Sequence, residues 1–141
     1  MSKLVLDGSM TLSWFLPDEK TDKSEAVRKL VEDGAEVQVP SIWSLEVANA
    51  LLVAERRKRI SQADSTAALA ALAKLPIEID SETGQRAGRD TIGLARHHSL
   101  SVYDAAYLEL ATRQGAPLAS LDAPLRRVAE KLKVPLLPEK F

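Results

Sequence analysis

The sequence predicts a three-layer α/β/α sandwich in which a mostly parallel sheet of four to five strands is flanked by about seven helices. Three observations carry that prediction. Short β-rich apolar runs alternate with longer stretches whose apolar residues recur at helical spacing. The strand-like runs are apolar throughout rather than at every second residue, the pattern of strands covered on both faces. At 141 residues the chain suits one unit, residues 1–141, with no linker, repeat or low-complexity tract to divide it; a domain of that size buries roughly 68–70% of its unfolded surface.

Leu4-Val5-Leu6 reads as the first strand, stopped by Asp7-Gly8, and a short helix is expected near Thr11–Leu16. Ala26, Val27 and Leu30 mark the next helix, and Val37-Gln38-Val39, stopped by Pro40, the second strand. Leu45, Asn49 and Leu52 place a helix after Pro40-Ser41; Ala68, Leu69, Leu72 and Leu75 place another. Ile77-Glu78-Ile79 is the third strand, followed by helical spacing at Ala87, Leu94 and Ala95 and again at Tyr107, Leu108 and Ala111. Leu118-Ala119-Ser120-Leu121 forms the fourth strand and Leu125, Val128, Ala129 and Leu132 the last helix. Val134-Pro135-Leu136-Leu137 is the weakest strand, because Pro135 cannot donate to a ladder.

Nineteen basic residues against twenty acidic ones give no global attraction to nucleic acid, so any polyanion binding must come from a local patch or a metal. The chain has no cysteine, which excludes disulfides and thiolate metal sites and fits a reducing, cytoplasmic setting. No apolar run approaches the ~18 residues of a membrane helix or forms a signal-peptide core. A soluble protein is expected.

Four acids interrupt or end apolar runs: Asp7 after Leu4-Val5-Leu6, Glu46 within Leu45–Asn49, Asp104 within Val102–Tyr107 and Asp122 after Leu118–Leu121. Charged groups are rarely buried unless paired or bound to a metal. In a parallel sheet ligands bind at the carboxyl ends of strands near a topological switch point. Asp7 and Asp122 belong at such ends, Glu46 about two turns into its helix, and Asp104 at the opening of another, so the four can share one cavity. Two carboxylates about 4 Å apart at an effective dielectric near 20 repel by roughly 4 kcal/mol, so four together call for a cation. An all-oxygen set, with only His97 and His98 as nitrogen donors, points to Mg²⁺ or Mn²⁺.

Each acid also has a plain structural reading. Asp7-Gly8 is a turn pair, Asp122 before Ala123-Pro124 an N-cap, and Ser101 with Asp104 a capping box. Glu46 is harder to explain so, because Leu45, Val47, Ala48, Ala50 and Leu51 leave its helix little polar face. Arg56-Arg57-Lys58-Arg59, at the end of the same helix, is either a solvated terminus, or a phosphate-binding strip leading to the acidic site or a docking surface for an acidic partner. Arg126, Arg127, Lys131 and Lys133 form a second, weaker basic candidate. His98, Trp14 and Trp43 read as packing residues, His97 as exposed, and Gly84 and Gly88 as sites of close helix packing.

The blocks Val5–Ser9, Pro40–Leu51, Leu100–Ala111 and Leu118–Asp122, in that order, resemble the PIN-domain nucleases and most closely the VapC-type toxins of toxin-antitoxin pairs. The resemblance implies that Asp7, Glu46, Asp104 and Asp122 are both catalytic and metal-holding, around Mg²⁺ or Mn²⁺. It matches Ser9, Asn49 and Ser120 to polar positions that support them. It further implies an endoribonuclease that acts on RNA and inhibits translation, a homodimer, and neutralisation by a cognate antitoxin. A receiver-like signalling domain also has an acidic Mg²⁺ pocket, but neither Asp80 nor any lysine fits its phosphorylation site. A non-catalytic interaction module on the same fold is separated from the enzyme by a metal-dependent cleavage assay.

Overall fold

The structure, a computed structural model, describes residues 2–141. Five strands, β1 (Lys3–Leu6), β2 (Glu36–Val39), β3 (Ile77–Ile79), β4 (Leu118–Ala119) and β5 (Leu136–Leu137), form one sheet in the order β3-β2-β1-β4-β5. Every neighbouring pair is parallel, with Val5 opposite both Gln38 and Leu118. The two outer strands on the β5 side are shorter than the sequence implies. Ser120 and Leu121 leave β4 because the Ser120 hydroxyl turns to Asp7, and β5 begins only after Pro135, whose carbonyl still accepts from Leu118 N–H.

Helices α1 (Gly8–Ser13), α2 (Asp22–Glu32), α3 (Trp43–Arg56) and α4 (Gln62–Ala73) occur between β1 and β3. Parallel crossovers are right-handed, which assigns these four to one face of the sheet and the later helices to the other. On the second face α5 (Thr83–Arg86) runs through a π-helical turn at Ala87–Thr91 into α6 (Ile92–His98), followed by α7 (Val102–Gln114) and α8 (Ala123–Lys131). Counted as continuous bodies these are the seven helices the periodicity predicts. Local sequence explains most of their starts. Thr21 with Ser24 and Ser61 with Asp64 form reciprocal capping boxes, Ser101 caps α7, and Asp122 with Pro124 opens α8. Gly115 ends α7 in the left-handed region, at φ 60°.

Both indoles are core residues, as expected. Trp14 Nε1 donates to the Ser24 carbonyl at 2.9 Å and Trp43 Nε1 to Thr11 Oγ1 at 3.0 Å, tying α1 to α2 and α3 to α1. Three expectations are corrected. Glu46 lies in the first turn of α3 rather than two turns in, because the helix begins at Trp43. Leu45 is 69% exposed, so α3 is less enclosed than its apolar sequence implies. Gly84 and Gly88 support no close helix packing, since a β-carbon at either would meet nothing within 4 Å.

Candidate functional site

The switch point of the sheet falls between β1 and β4, where successive crossovers leave in opposite directions. Asp7 stands at the end of β1, its N–H bonded to the Ala119 carbonyl at 3.1 Å. It is 4% exposed. Its Oδ1 accepts from Ser9 Oγ at 2.7 Å and from Met10 N–H at 2.9 Å, and its Oδ2 accepts from Ser120 Oγ. Ser9 in turn accepts from Leu121 N–H at 2.9 Å and Ser120 from Asp122 N–H at 3.1 Å. Two serines thus stitch the end of β1 to the backbone that leaves β4.

The other acids approach from three helices. Asp122 caps α8, its Oδ2 accepting from Leu125 N–H at 3.0 Å. Asp104 is the third residue of α7, where its backbone N–H bonds Ser101 Oγ at 3.0 Å. Glu46 accepts a hydrogen bond from the Tyr107 hydroxyl, one turn beyond Asp104 on α7. All four acids therefore occupy helix amino ends, where the helix dipole favours negative charge. The structural readings of Asp7 and Asp122 hold: both cap helices, α1 and α8. Of the predicted box at Ser101 and Asp104, the half made by the serine on the backbone is present.

Electrostatics links the acids into one set. Burial pushes the Asp7 carboxyl up to about 6, against the hydrogen bonds from Ser120, Met10 and Ser9, and repulsion from Asp122 adds to the rise. Burial also raises Asp104, again with repulsion from Asp122, and raises Glu46, with repulsion from Asp104 opposed by the Tyr107 hydrogen bond. Tyr107 is pushed well above the usual phenol range by burial and by Glu46, Asp7 and Asp104, so it stays a hydrogen-bond donor. The donor set is all oxygen and strained toward protonation, which fits a hard divalent cation. Among the described residues no three of these acids already stand close enough to grip one ion. Each of three acids already has a protein partner: Asp7 its serines, Asp122 the Leu125 N–H and Glu46 the Tyr107 hydroxyl.

Other candidates are placed as follows. Asn49 is exposed on α3, outside the hydrogen bonds that join Asp7, Ser9 and Ser120. Arg56, Arg57 and Lys58 are exposed at the far end of α3, whereas Arg59 is engaged by Asp18 at 2.7 Å and Glu19 at 2.8 Å. Arg126 is buried and so cannot join Arg127, Lys131 and Lys133 in a surface strip. His98 lines, with half-buried Leu94 and exposed His97, a groove of about 540 Å³ whose lining includes none of the four acids. Asp80 is held by a bidentate ion pair to Arg113. Tyr107 and Arg126 are the site neighbours that periodicity concealed: Tyr107 counted as one more apolar position, although its place three residues after Asp104 puts both on one helix face.

A family model described as the PIN domain matches residues 4–131. Ribonuclease VapC3 of Pyrobaculum aerophilum is 29% identical over 136 residues, which span 96% of this chain and 99% of that protein. Among solved structures, PAE2754 from Pyrobaculum aerophilum superposes with a TM-score of 0.60 at 19% identity, over 88% of this chain and 82% of its own. VapBC2 from Rickettsia felis, bound to a DNA fragment from its promoter, gives 0.61 at 12% identity, over 89% and 92%. Mycobacterium tuberculosis VapC20, a sarcin-ricin loop cleaving toxin, gives 0.59 at 16% identity, over 89% and 94%. These three share the fold.

Proposed function

This chain belongs to the PIN-domain family, and on that basis we propose that it is a Mg²⁺- or Mn²⁺-dependent endoribonuclease, the toxin of a toxin-antitoxin pair. The observation that carries the proposal is the hydrogen-bonded run at the switch point, in which Ser9 and Ser120 hold the buried Asp7 beside the Asp122 backbone and Tyr107 holds Glu46 one turn from Asp104. Likeness to a ribonuclease over nearly the whole of both chains supports it.

In this reading Asp7, Glu46, Asp104 and Asp122 hold the cation and Ser9 and Ser120 fix the orientation of Asp7. When bound, a divalent ion supplies a stronger water nucleophile and relieves charge on the departing 3′ oxygen. The chain's own part is orientation and proton handling. Glu46 and Asp104, the two less buried acids with raised affinity for a proton, are the candidates to orient the attacking water and accept its proton. Tyr107 fixes the Glu46 carboxylate by a hydrogen bond. Exposed Arg56, Arg57 and Lys58 stand at the far end of α3, Arg56 about 15 Å along the helix from Glu46, within reach of flanking phosphates. The partners that follow are an RNA substrate, a cognate antitoxin and a second copy of the chain, acting in the cytoplasm to inhibit translation. Among the described residues no helix is long and apolar enough to cross a membrane.

The test is cleavage of single-stranded RNA by purified protein with Mg²⁺, with EDTA, and with Asp7→Asn, Glu46→Gln, Asp104→Asn and Asp122→Asn in turn. Loss of cleavage in EDTA and in each variant, with circular dichroism unchanged, is the expected result. Cleavage that survives EDTA would sink the metal mechanism, and RNA binding without any cleavage would return the chain to a non-catalytic module.

A further inference from the structure

Residues 132–141 lie beyond the segment that the family model matches, yet one buried cation ties them to the acidic centre. Arg126, on α8 one turn after the Asp122 cap, is 4% exposed. Its direct partners are backbone carbonyls: Nη1 donates to Ser120 at 3.0 Å, and Nη2 to Pro138 at 2.8 Å and Glu139 at 3.4 Å. The Phe141 ring covers the guanidinium at 5.0 Å. Ser120 is therefore gripped at both ends. Its carbonyl is bound by Arg126, while its hydroxyl donates to Asp7 and accepts from Asp122 N–H.

Burying a guanidinium is costly; the Glu130 and Asp7 carboxylates offset part of that cost, but its direct contacts are carbonyls, which give hydrogen bonds and no charge. A position needed only for packing would be filled better by an apolar side chain. What arginine adds is a rigid planar fork whose separate N–H groups reach two backbone segments at fixed spacing, where a lysine offers a single mobile ammonium and an apolar residue no donor. The segments it joins are the exit from β4, which carries Ser120 and Asp122, and the tail beyond β5.

We propose that Arg126 is a positioning residue of the acidic site: by clamping the Ser120 carbonyl to the Pro138–Glu139 backbone, it holds the Ser120 hydroxyl against Asp7 and sets the backbone that presents Asp122. The tail is thereby part of the site's support. The catalytic consequence rests on the nuclease reading above, whereas the clamp itself is a property of the metal-free fold.

The experiment compares wild type with Arg126→Lys, which keeps the charge without the fork, and Arg126→Met, which keeps apolar bulk. Amide hydrogen exchange in EDTA reads the clamp directly. Leu121 and Asp122 N–H, whose acceptors are the Ser9 and Ser120 hydroxyls, should lose at least tenfold protection in both variants. The Val5 amide, bonded to the Pro117 carbonyl, serves as reference and should hold. In the same proteins Mn²⁺, titrated calorimetrically, should bind about 10- to 100-fold more weakly, the usual cost of losing an outer support of a metal ligand. kcat on an oligoribonucleotide should fall with KM little changed. Wild-type protection at Asp122 overturns the proposal, as does an equal loss at Val5 and Asp122, which is general destabilisation. Rescue of Asp122 protection by Arg126→Lys also overturns it, since charge alone would then suffice. Should wild type neither bind Mn²⁺ nor cut RNA, the nuclease reading fails while the exchange data still decide the clamp.

Discussion

Asp7 concentrates the physical conflict of this molecule. A carboxylate with three donors would ordinarily be a strong acid, yet burial outweighs them and lifts it from 3.8 to about 6. The folded state therefore holds a proton that the unfolded state releases. Stability from this group is present below the unfolded value and is lost as pH rises through about 6; two units correspond to about 3 kcal/mol. Asp7→Asn cannot ionise, so in EDTA its stability advantage over wild type should grow by roughly that amount between pH 4 and pH 7. Urea denaturation at a series of pH values checks it, and groups such as Asp80, whose carboxyl Arg113 holds below its usual range, cancel in the comparison. A gap that does not change with pH would mean that burial does not govern Asp7.

At the scale of elements, α7 does two jobs at opposite ends. Its first turns bring Asp104 and Tyr107 to the acids, while Arg113 near its end bonds Glu109 at 2.9 Å and Asp80 at 2.7 Å, anchoring the loop after β3. Removing one partner of a buried ionic cluster leaves uncompensated charge, so Arg113→Met should destabilise by about 3–5 kcal/mol. Because this cluster is remote from the acids along the helix, kcat of the remaining folded protein should stay within about twofold at 20 °C; a catalytic defect without a stability loss would assign Arg113 to the site instead. Helix α3 also joins two features, Glu46 at its start and the basic run at its end. Arg59 is neutralised by Asp18 and Glu19, which leaves Arg56, Arg57 and Lys58 as the residues the nuclease reading would place against phosphates. Arg56→Gln with Arg57→Gln should reduce the slope of log affinity for single-stranded RNA against log salt by about 0.7 for each phosphate no longer neutralised. An unchanged slope returns the run to a solvated helix end, and loss of antitoxin affinity alone makes it a partner surface.

For the whole molecule, in the nuclease reading above, the metal-free fold carries the repulsion among the acids that would hold the ion. Ion binding to the folded state alone adds about 2.7 kcal/mol at 100 times the dissociation constant. At about 2 to 4 °C per kcal/mol, Mg²⁺ should raise the melting temperature by roughly 5 to 11 °C. Asp104→Asn should raise the melting point of the metal-free protein and shrink the metal response. The Ser101 cap survives that change, because it uses the backbone N–H of residue 104. Scanning calorimetry with and without Mg²⁺ measures both, and a lower metal-free melting point with an undiminished response would remove Asp104 from the set.

The layered parallel fold was legible in the chain, because unbroken apolar runs and helical spacing are local patterns that depend only on which faces must be covered. The four acids were marked there too, since a charge inside an apolar run is costly wherever the run folds. What those acids meet is a matter of packing between distant segments. Glu46 lies in the first turn of α3, not two turns in, because a turn closed by the Trp43 N–H on the Pro40 carbonyl delays the helix to Trp43. Tyr107 supports Glu46 from 61 residues away, and its hydroxyl has no signature apart from an apolar stripe. Arg126 read as surface charge until the tail folded over it, for burial of an arginine is set by what packs against it and not by its neighbours in the chain. Ser120 belongs to an apolar run by sequence, and only the pairing of β1 with β4 turns its hydroxyl onto Asp7.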